Sequence, residues 1–281
     1  MAEIELVCFT DPFCSWCWAT EPALLALRER HRGRLSVRHV QGGLVRDMAD
    51  FLDVANGIRT TADAAPHWRE VTRHTGQPID ERVMLDITDP HWSTWPAGIA
   101  VKAAEFQGPG LGDRYLRRLR RAALTERAQA QRRDVQLRLA AEVAGLDVSR
   151  FAVDLASPAA AEAFARDRAE CASVGASGFP TLLFRHASPD PIDGGILVGG
   201  YRSLDVYERV LDELVPGLER HPPRSIEELL VEYGPLTSRE LEVITGDPRV
   251  RTRLESERSA GRVVRAPARG GEFWSRPDAR A

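Results

Sequence analysis

The sequence predicts an α/β fold in which a small mixed sheet is covered by helices on both faces. Three observations predict it. The first forty residues have the pattern of a strand, a helix and a strand, and residues 159–214 have the pattern of a helix, two strands and a helix. Between these parts, helical periodicity replaces the strand pattern. The two strand-bearing parts complement each other into one four-stranded sheet.

The opening elements are defined by an apolar run and a glycine. Residues 3–9 are apolar and rich in β-formers, as in a central strand buried on both faces. After a turn at residues 10–13, apolar positions at helical spacing predict a helix over residues 14–31 that ends near Gly33. Residues 35–40 predict the second strand, so a Cys-x-x-Cys motif lies at the strand-to-helix junction.

The region from about residue 45 to 155 is interpreted as a helical insertion, because strand signals fade there. Its periodicity predicts helices over residues 97–106, 115–124 and 132–144. A run of arginines falls on the second of these helices, and a solvated face is the ordinary explanation of such a run. These residues are Arg114, Arg117, Arg118, Arg120 and Arg121.

The carboxyl half completes the predicted sheet. A helix over residues 159–173 precedes a strand at residues 181–184. The Asp-Gly-Gly sequence at residues 193–195 is typical of a hairpin turn, and residues 196–198 predict the returning strand. Residues 204–214 predict a closing helix.

Pro222 and Pro223 predict a linker between a domain of residues 1–220 and a module of residues 221–281. Beyond the linker we expect three short helices and a β-hairpin, which is a winged-helix-like arrangement. The helices cover residues 226–233, 238–245 with Thr237 or Ser238 as N-cap, and 248–260 with Asp247 as N-cap, and the hairpin strands include residues 262–265 and 272–274.

The arginines of this module leave two roles open. A winged helix can place its third helix in the DNA major groove while other arginines approach phosphates. The candidates are Arg249, Arg251 and Arg253 on the helix and Arg262, Arg265 and Arg269 in the tail. Acidic residues nearly balance them over residues 222–281, and fold likeness alone is weak grounds for a function. We therefore expect a protein partner or a lid role rather than nucleic-acid binding.

Composition limits the class of protein. The chain has 281 residues, of which 43% are hydrophobic and 28% charged, so it fits one enlarged globular domain or two unequal ones. A net charge of −3 argues against a general polyanion binder. The sequence before the Cys-x-x-Cys motif has no signal-peptide pattern, and no stretch has the length of a membrane span. We expect a cytoplasmic location without membrane contact, where a close cysteine pair is more often catalytic or metal-binding than structural.

Cys14 and Cys17 are the candidate redox centre. At a helix N-terminus the first cysteine faces unpaired N–H groups, which lower its pKa, so we assign Cys14 as nucleophile and Cys17 as the resolving thiol. The alternative is half of a zinc site, which needs a second cysteine pair at similar spacing. Cys8 and Cys171 do not provide that pair, and the histidines show no ligand spacing, so we expect neither metal nor cofactor.

The second candidate element is the sequence Gly178-Phe179-Pro180-Thr181 at the entrance of a strand. A cis proline there would leave the preceding backbone free to pair with an extended substrate. An ordinary trans proline would only begin the strand. With a Cys-x-x-Cys motif elsewhere in the chain, we favour the cis interpretation.

At this point the chain resembles the DsbA-like thioredoxin-fold family, in particular its cytoplasmic branch of FrnE-type and ClpXP-adaptor proteins. The resemblance spans roughly residues 3–215. It depends on Asp11-Pro12-Phe13-Cys14-Ser15-Trp16-Cys17-Trp18, on Trp95-Pro96-Ala97 with Lys102-Ala103-Ala104-Glu105, and on Gly178-Phe179-Pro180-Thr181-Leu182 with Gly199-Gly200-Tyr201. It implies a thioredoxin-like fold, redox chemistry at Cys14 and Cys17, and a cis Pro180 facing them.

The residues around the motif modify this expectation. Periplasmic DsbA-type oxidants have a histidine between the cysteines, whereas this chain has Ser15 and Trp16, so we expect a less oxidising couple. An apolar platform for unfolded chains or small disulfides is the second expectation. Its predicted members are Trp16, Trp18 and Phe179, with the alternative that Trp18 packs in the core, and Thr181 is a further candidate substrate-binding residue.

The sequence therefore predicts a thiol–disulfide oxidoreductase or isomerase acting on protein or small disulfides. A dithiol or glutathione would supply the electrons. The competing hypothesis is a thioredoxin-fold adaptor in which the cysteine pair senses redox state and residues 221–281 bind a protein partner.

Overall fold

The computed structural model describes residues 3–187 and 195–277, and within these residues four strands form a mixed sheet. The strands are β1 (Ile4–Thr10), β2 (Leu35–Gln41), β3 (Thr181–His186) and β4 (Ile196–Gly199), in the order β2-β1-β3-β4. β1 is parallel to β2 and antiparallel to β3, and β3 is antiparallel to β4. This is the sheet that the sequence predicts, while Asp193 and Gly194 of the predicted turn lie outside the described residues.

Strand β1 is central, and its pairing register with β3 determines which residues meet at the site. Its apolar residues are fully buried, because neighbours pair with both of its edges and helices cover both of its faces. Phe9 lies opposite Thr181, and Thr10 is the last residue of β1. The end of β1 and the beginning of β3 therefore meet at one edge, where the chain enters the Cys-x-x-Cys turn.

Helices cover the two faces of the sheet. Helix α1 (Ser15–Arg30) and helix α9 (Leu204–Leu214) pack on the face of Ile4, Leu6 and Cys8. Helix α8 (Pro158–Ser173) packs on the opposite face, where Cys171 contacts the cluster of Val7, Phe9 and Val40. Pro22 lies within α1 without ending it. The sequence predicts each of these helices to within two residues.

Residues 45–155 are fully described and form the helical insertion. Its helices are α2 (Thr61–Thr75), α3 (Arg82–Asp86), α4 (Trp95–Glu105), α5 (Pro109–Thr125), α6 (Arg133–Ala140) and α7 (Val148–Ala156). The sequence prediction misses α2, α3 and α7, and it extends α6 to residue 144. The capping box of Thr60 with Asp63 and the Asp147 cap are the available signals for α2 and α7.

The described part of the C-terminal module contains helices and a small antiparallel sheet, in the order that the sequence predicts. Its elements are α10 (Ile226–Tyr233), β5 (Leu236–Thr237), α11 (Ser238–Thr245), α12 (Val250–Ser259), β6 (Val264–Ala268) and β7 (Gly271–Ser275). Strand β5 is not predicted by the sequence and pairs with β7. Thr237 caps α11, but the predicted cap Asp247 is wrong, since Arg249 is the N-cap of α12 and Asp247 accepts its N–H.

The module packs directly on α1. Leu25 and Ala26 of α1 belong to the same apolar cluster as the buried residues of α10, α11 and α12. The Glu29 carboxylate, whose side chain is fully buried, accepts hydrogen bonds from Arg224, which follows the predicted linker. The described helices include none long and apolar enough to cross a membrane.

Candidate active site

Cys14 is the N-cap residue of helix α1. Its backbone is extended, with φ −75° and ψ 111°, and its Sγ accepts the Cys17 N–H at 3.2 Å. Serine, threonine and aspartate usually occupy this position, because their oxygen accepts an N–H of the first turn. In this protein the Cys14 sulfur accepts that hydrogen bond. The cap therefore favours negative charge on Cys14, as the sequence predicts for the nucleophile.

The segment before β3 faces this sulfur. The Phe179–Pro180 peptide bond is cis, and the Cys14 thiol donates to the Phe179 carbonyl oxygen at 3.4 Å. The Pro180 carbonyl accepts the Gly200 N–H at 2.8 Å, which ties the segment to the end of β4. The structure thus brings together Cys14, Cys17 and the Phe179–Pro180 segment.

The two thiols contact each other and titrate as a pair. Burial raises the pKa of Cys14, and the hydrogen bond and charge of the Cys17 sulfur raise it further. Burial also opposes ionisation of Cys17, but the hydrogen bond with Cys14 and the charge of Arg120 outweigh it and lower the pKa of Cys17.

A buried carboxylate holds the turn in place. Asp11 accepts the Phe13 N–H at 2.8 Å, the Leu44 N–H at 2.8 Å and the Thr94 hydroxyl at 2.7 Å. Burial raises the pKa of Asp11 in spite of these hydrogen bonds. These contacts join the turn to the loop after β2 and to the beginning of α4, so the position of the cysteines depends on the insertion.

Arg120 of α5 lies beneath the turn, which the sequence prediction misses. It is fully buried and donates to Glu21 of α1 and to the Thr10 hydroxyl at the end of β1. The prediction of a solvated arginine run is therefore wrong for Arg120. The signal that could have found it is its helical spacing from the buried residues Leu116 and Ala123.

Trp16 is enclosed by aromatic side chains from other elements. Its indole N–H donates to His67 Nε2 of α2 at 3.1 Å. Its ring centroid is 5.5 Å from that of Tyr201 and 5.9 Å from that of His74. We call Trp16, His67, His74 and Tyr201 the aromatic cluster. The sequence prediction includes only Trp16 of these four, because helix α2, which carries both histidines, is missed.

Two of the predicted substrate-binding residues, Trp18 and Thr181, are buried in the structure. Trp18 is 0% exposed and donates its indole N–H to the Pro78 carbonyl at 2.9 Å, so it is a core residue. Thr181 is buried and donates its hydroxyl to the Gly178 carbonyl at 2.7 Å. Both corrections have the same reason: the insertion and the neighbouring strands cover positions that local spacing leaves open.

Phe179 remains half-buried beside the cysteines. Its ring packs so closely on Gly42 that a Cβ at Gly42 would overlap the ring atoms. Glycine is therefore required there by close approach. Within residues 3–187 and 195–277, no three histidine, cysteine or acidic side chains converge as a metal site would require.

Comparison with known proteins shows the family to which the chain is similar. The model of the family described as Thioredoxin matches residues 7–209. The ClpXP adapter protein SpxH of Halalkalibacterium halodurans is 32% identical over 242 residues, covering 86% of this chain and 78% of that protein. The protein of the same name from Bacillus subtilis is 28% identical over 277 residues, covering 96% of this chain and 88% of that protein.

Solved structures show the same fold. A putative protein disulfide isomerase from Nitrosomonas europaea superimposes with a TM-score of 0.62 at 25% identity, covering 75% of this chain and 97% of that chain. The cytosolic disulfide reductase DsbM from Pseudomonas aeruginosa superimposes with a TM-score of 0.56 at 26% identity, covering 74% of this chain and 97% of that chain. Both neighbours are named for disulfide chemistry, whereas the curated relatives are named as adapters.

Proposed function

Because the chain belongs to the DsbA-like thioredoxin-fold family, with a ClpXP-adapter branch among its relatives, we propose that it is a dithiol–disulfide oxidoreductase whose redox centre is Cys14 and Cys17. The observation that carries the proposal is the place of the Cys14 sulfur. It caps α1 through the Cys17 N–H and lies 3.4 Å from the Phe179 carbonyl oxygen. Among the described residues, no further histidine, cysteine or acidic side chains converge with this sulfur as a zinc site would require.

The first step uses the shared proton of the pair. The singly ionised dithiol holds one proton between its two sulfurs, and the reacting form carries that proton on Cys17 and the charge on Cys14. The Cys17 N–H stabilises that thiolate at the helix N-terminus. The thiolate attacks one sulfur of the substrate disulfide, so the Cys14–substrate bond forms, the substrate S–S bond breaks, and the released thiolate takes a proton from water.

The second step regenerates a disulfide in the protein. Cys17 loses its proton and attacks the Cys14 sulfur of the mixed disulfide. The Cys14–Cys17 bond forms and the second substrate sulfur leaves as a thiolate. The dithiol is oxidised by two electrons and the substrate is reduced by two, and glutathione or another thiol then reduces the protein disulfide.

The surroundings of the sulfur suggest how substrate binds. An extended peptide would pair with the backbone of Phe179, which precedes the cis proline, and the half-buried side chains of Trp16 and Phe179 would contact its apolar residues. Ser15 and Trp16 in place of a histidine favour reduction or isomerisation over strong oxidation. The DsbM neighbour, named as a cytosolic reductase, supports that direction and a cytoplasmic location.

Single cysteine variants test the proposal by turnover of insulin disulfides with glutathione as reductant. We expect Cys14→Ser to abolish turnover and Cys17→Ser to accumulate a mixed disulfide, because only the resolving step is lost. Cys171→Ala is the matched control, since Cys171 lies buried against the far face of the sheet. Undiminished turnover by Cys14→Ser would refute the proposed oxidoreductase function.

A second function, that of a protease adapter, is favoured by one observation. The similarity to the Bacillus subtilis adapter covers 96% of this chain, so it extends beyond residue 209 into the C-terminal module. We propose that the protein binds ClpX as a partner. Purified ClpX and the Cys14→Ser/Cys17→Ser double variant provide the test by sedimentation. Retained binding supports the adapter, and absence of binding by both the wild type and the double variant contradicts it.

A further inference from the structure

A buried arginine from the helical insertion lies under the redox centre. Arg120 is 0% exposed, and its guanidinium donates to Thr10 and Glu21. Thr10 ends β1, four residues before Cys14, and Glu21 lies one helical turn after Cys17 on α1. The guanidinium is thus held by the two elements that meet at the cysteine turn, one on each side of it.

The charge of this arginine persists although it is buried. Burial opposes it, but the Glu21 carboxylate outweighs burial and raises the pKa of Arg120. Burial likewise opposes ionisation of Glu21, and the charges of Arg120 and Arg117 outweigh it and lower the pKa of Glu21. Both partners therefore remain ionised, and screening by water is weak around them.

The hydrogen bonds of Arg120 hold its guanidinium beside the cysteine turn. Arg120 donates to the Thr10 hydroxyl oxygen, so the guanidinium is held directly by the residue that ends β1. The Arg120 Nε–H has no hydrogen-bond acceptor in the part of the chain that the structure describes. Glu21 satisfies only part of the guanidinium, and the charge of Arg120 favours ionisation of Cys17.

We propose that Arg120, held in place by Thr10 and Glu21, is a positioning residue whose buried charge sets the reduction potential of the Cys14–Cys17 couple. This inference rests on the proposed oxidoreductase function. Positive charge stabilises the thiolate, which exists only in the reduced protein, and stabilising the reduced form makes the couple more oxidising. Glu21 moderates the effect. The insertion thus supplies a determinant of redox chemistry that lies outside the Cys-x-x-Cys sequence.

Variants that remove either the positive or the negative charge test the proposal. The measurement is the equilibrium between the oxidised and the reduced protein in glutathione buffers. Arg120→Met removes positive charge, and we expect the equilibrium constant for oxidising glutathione to fall about tenfold, which equals about 30 mV for a two-electron couple. Glu21→Gln removes the moderating negative charge and is expected to raise that constant. Arg120→Lys keeps the charge and stays within about twofold of the wild type.

Thr10→Val removes one of the two hydrogen bonds that hold the Arg120 guanidinium beside the turn. It keeps Arg120 and the β-branched shape, and we expect a change in the direction of Arg120→Met but smaller. The ultraviolet absorbance of the thiolate, followed against pH, should show a higher apparent pKa in both variants. A purely structural role for Arg120 would move neither the potential nor this profile.

The outcomes distinguish the two proposals. If the wild-type cysteines form no disulfide in any glutathione buffer, the oxidoreductase function fails and this inference fails with it. If they do, and Arg120→Met and Glu21→Gln shift the equilibrium in the same direction or by less than twofold, only the role of Arg120 is overturned. Should Arg120→Met fail to fold, an unshifted Glu21→Gln equilibrium overturns that role by itself.

Discussion

At the residue scale, Trp16 connects the cysteine turn to the helical insertion. Its indole N–H needs an acceptor, and His67 Nε2 supplies one at 3.1 Å. The His67 ring must therefore be neutral with its hydrogen on Nδ1. Burial lowers the pKa of His67, although Asp53 acts in the opposite direction. Protonation of His67 would remove the acceptor and loosen the aromatic cluster beside Cys14.

A pH-dependent stability follows from this contact. Because the pKa of His67 is lower in the folded than in the unfolded protein, the unfolded chain binds the proton first as pH falls below about 6.5. We expect stability to decrease as pH falls through that range. His67→Gln keeps an acceptor but does not titrate. Urea unfolding at pH 7.5 and 5.5 should therefore show a smaller loss for His67→Gln, and equal losses would contradict the assignment.

The contact of Gly42 with Phe179 gives a second prediction at this scale. In Gly42→Ala the new methyl group must displace the Phe179 ring, with a cost of about 1–3 kcal/mol. The displaced residue carries the carbonyl that faces Cys14, so we expect slower disulfide turnover as well as a lower melting temperature. Gly199→Ala is the control, since a Cβ there meets nothing within 4 Å. Equal turnover by the two variants would argue against the contact.

At the element scale, an ion pair holds the hairpin of β6 and β7 against the insertion. Arg269, between its strands, donates to Glu81 at 2.8 and 2.9 Å. Glu81 has a side chain that is only 3% exposed, and its hydrogen bond with Arg269 lowers its pKa to about 2. The sequence offers Arg269 as a candidate phosphate contact, whereas in the structure a carboxylate holds it.

Glu81→Gln should therefore change the acid stability of the protein. A carboxylate with a lowered pKa contributes stability that is complete above its unfolded pKa and is lost as pH falls toward 2. We expect the variant to be less stable than the wild type at pH 7 and equally stable near pH 2. Thermal unfolding across this range measures the difference. A constant difference at all pH values would contradict the linkage to Glu81.

Other arginines of the module are also paired within it. Arg253 contacts Asp247, Arg262 contacts Glu257, and Arg265 contacts Glu255. Such exposed pairs contribute little stability, but they neutralise the face that a nucleic acid would need. This arrangement is consistent with the expectation of a protein partner.

At the scale of the whole molecule, the module and helix α1 share one apolar cluster. Glu29 of α1 is fully buried and depends on Arg224 and Arg32 for its hydrogen bonds. Helix α1 therefore begins at Cys14 and contacts the C-terminal module farther along its length. A partner bound to the module would therefore contact a unit that packs on the same helix as the redox centre.

Arg224→Met tests how firmly the module is held. Hydrogen bonds to a buried charge contribute about 1.5–3 kcal/mol, and we expect the free energy of unfolding to fall by about that amount. Arg258→Met breaks an exposed pair with Glu255 and should cost at most about 1 kcal/mol. Urea unfolding measures both. Equal losses would mean that Arg224 does not hold the module.

The sequence alone predicted the elements whose signals are local. The apolar run of β1, the glycine after α1, the motif at residues 178–181 and the Thr237 cap of α11 each depend on neighbours in sequence. The cysteine pair was recognisable for the same reason, since its spacing and its place before a helix are local properties. Short helices such as α3 escaped prediction because tertiary packing, not propensity, stabilises them.

Only the tertiary structure decided what surrounds the cysteines. Arg120 and Trp16 make contacts with residues that are 110 and 51 positions away in sequence, at Thr10 and His67 respectively. Trp18 is buried because a loop of the insertion covers it. A residue pattern reports the period of its own helix or strand but not what packs against it. The sequence therefore determined which thiols are the candidates for reaction, whereas the fold determined the charge and the aromatic side chains that surround them.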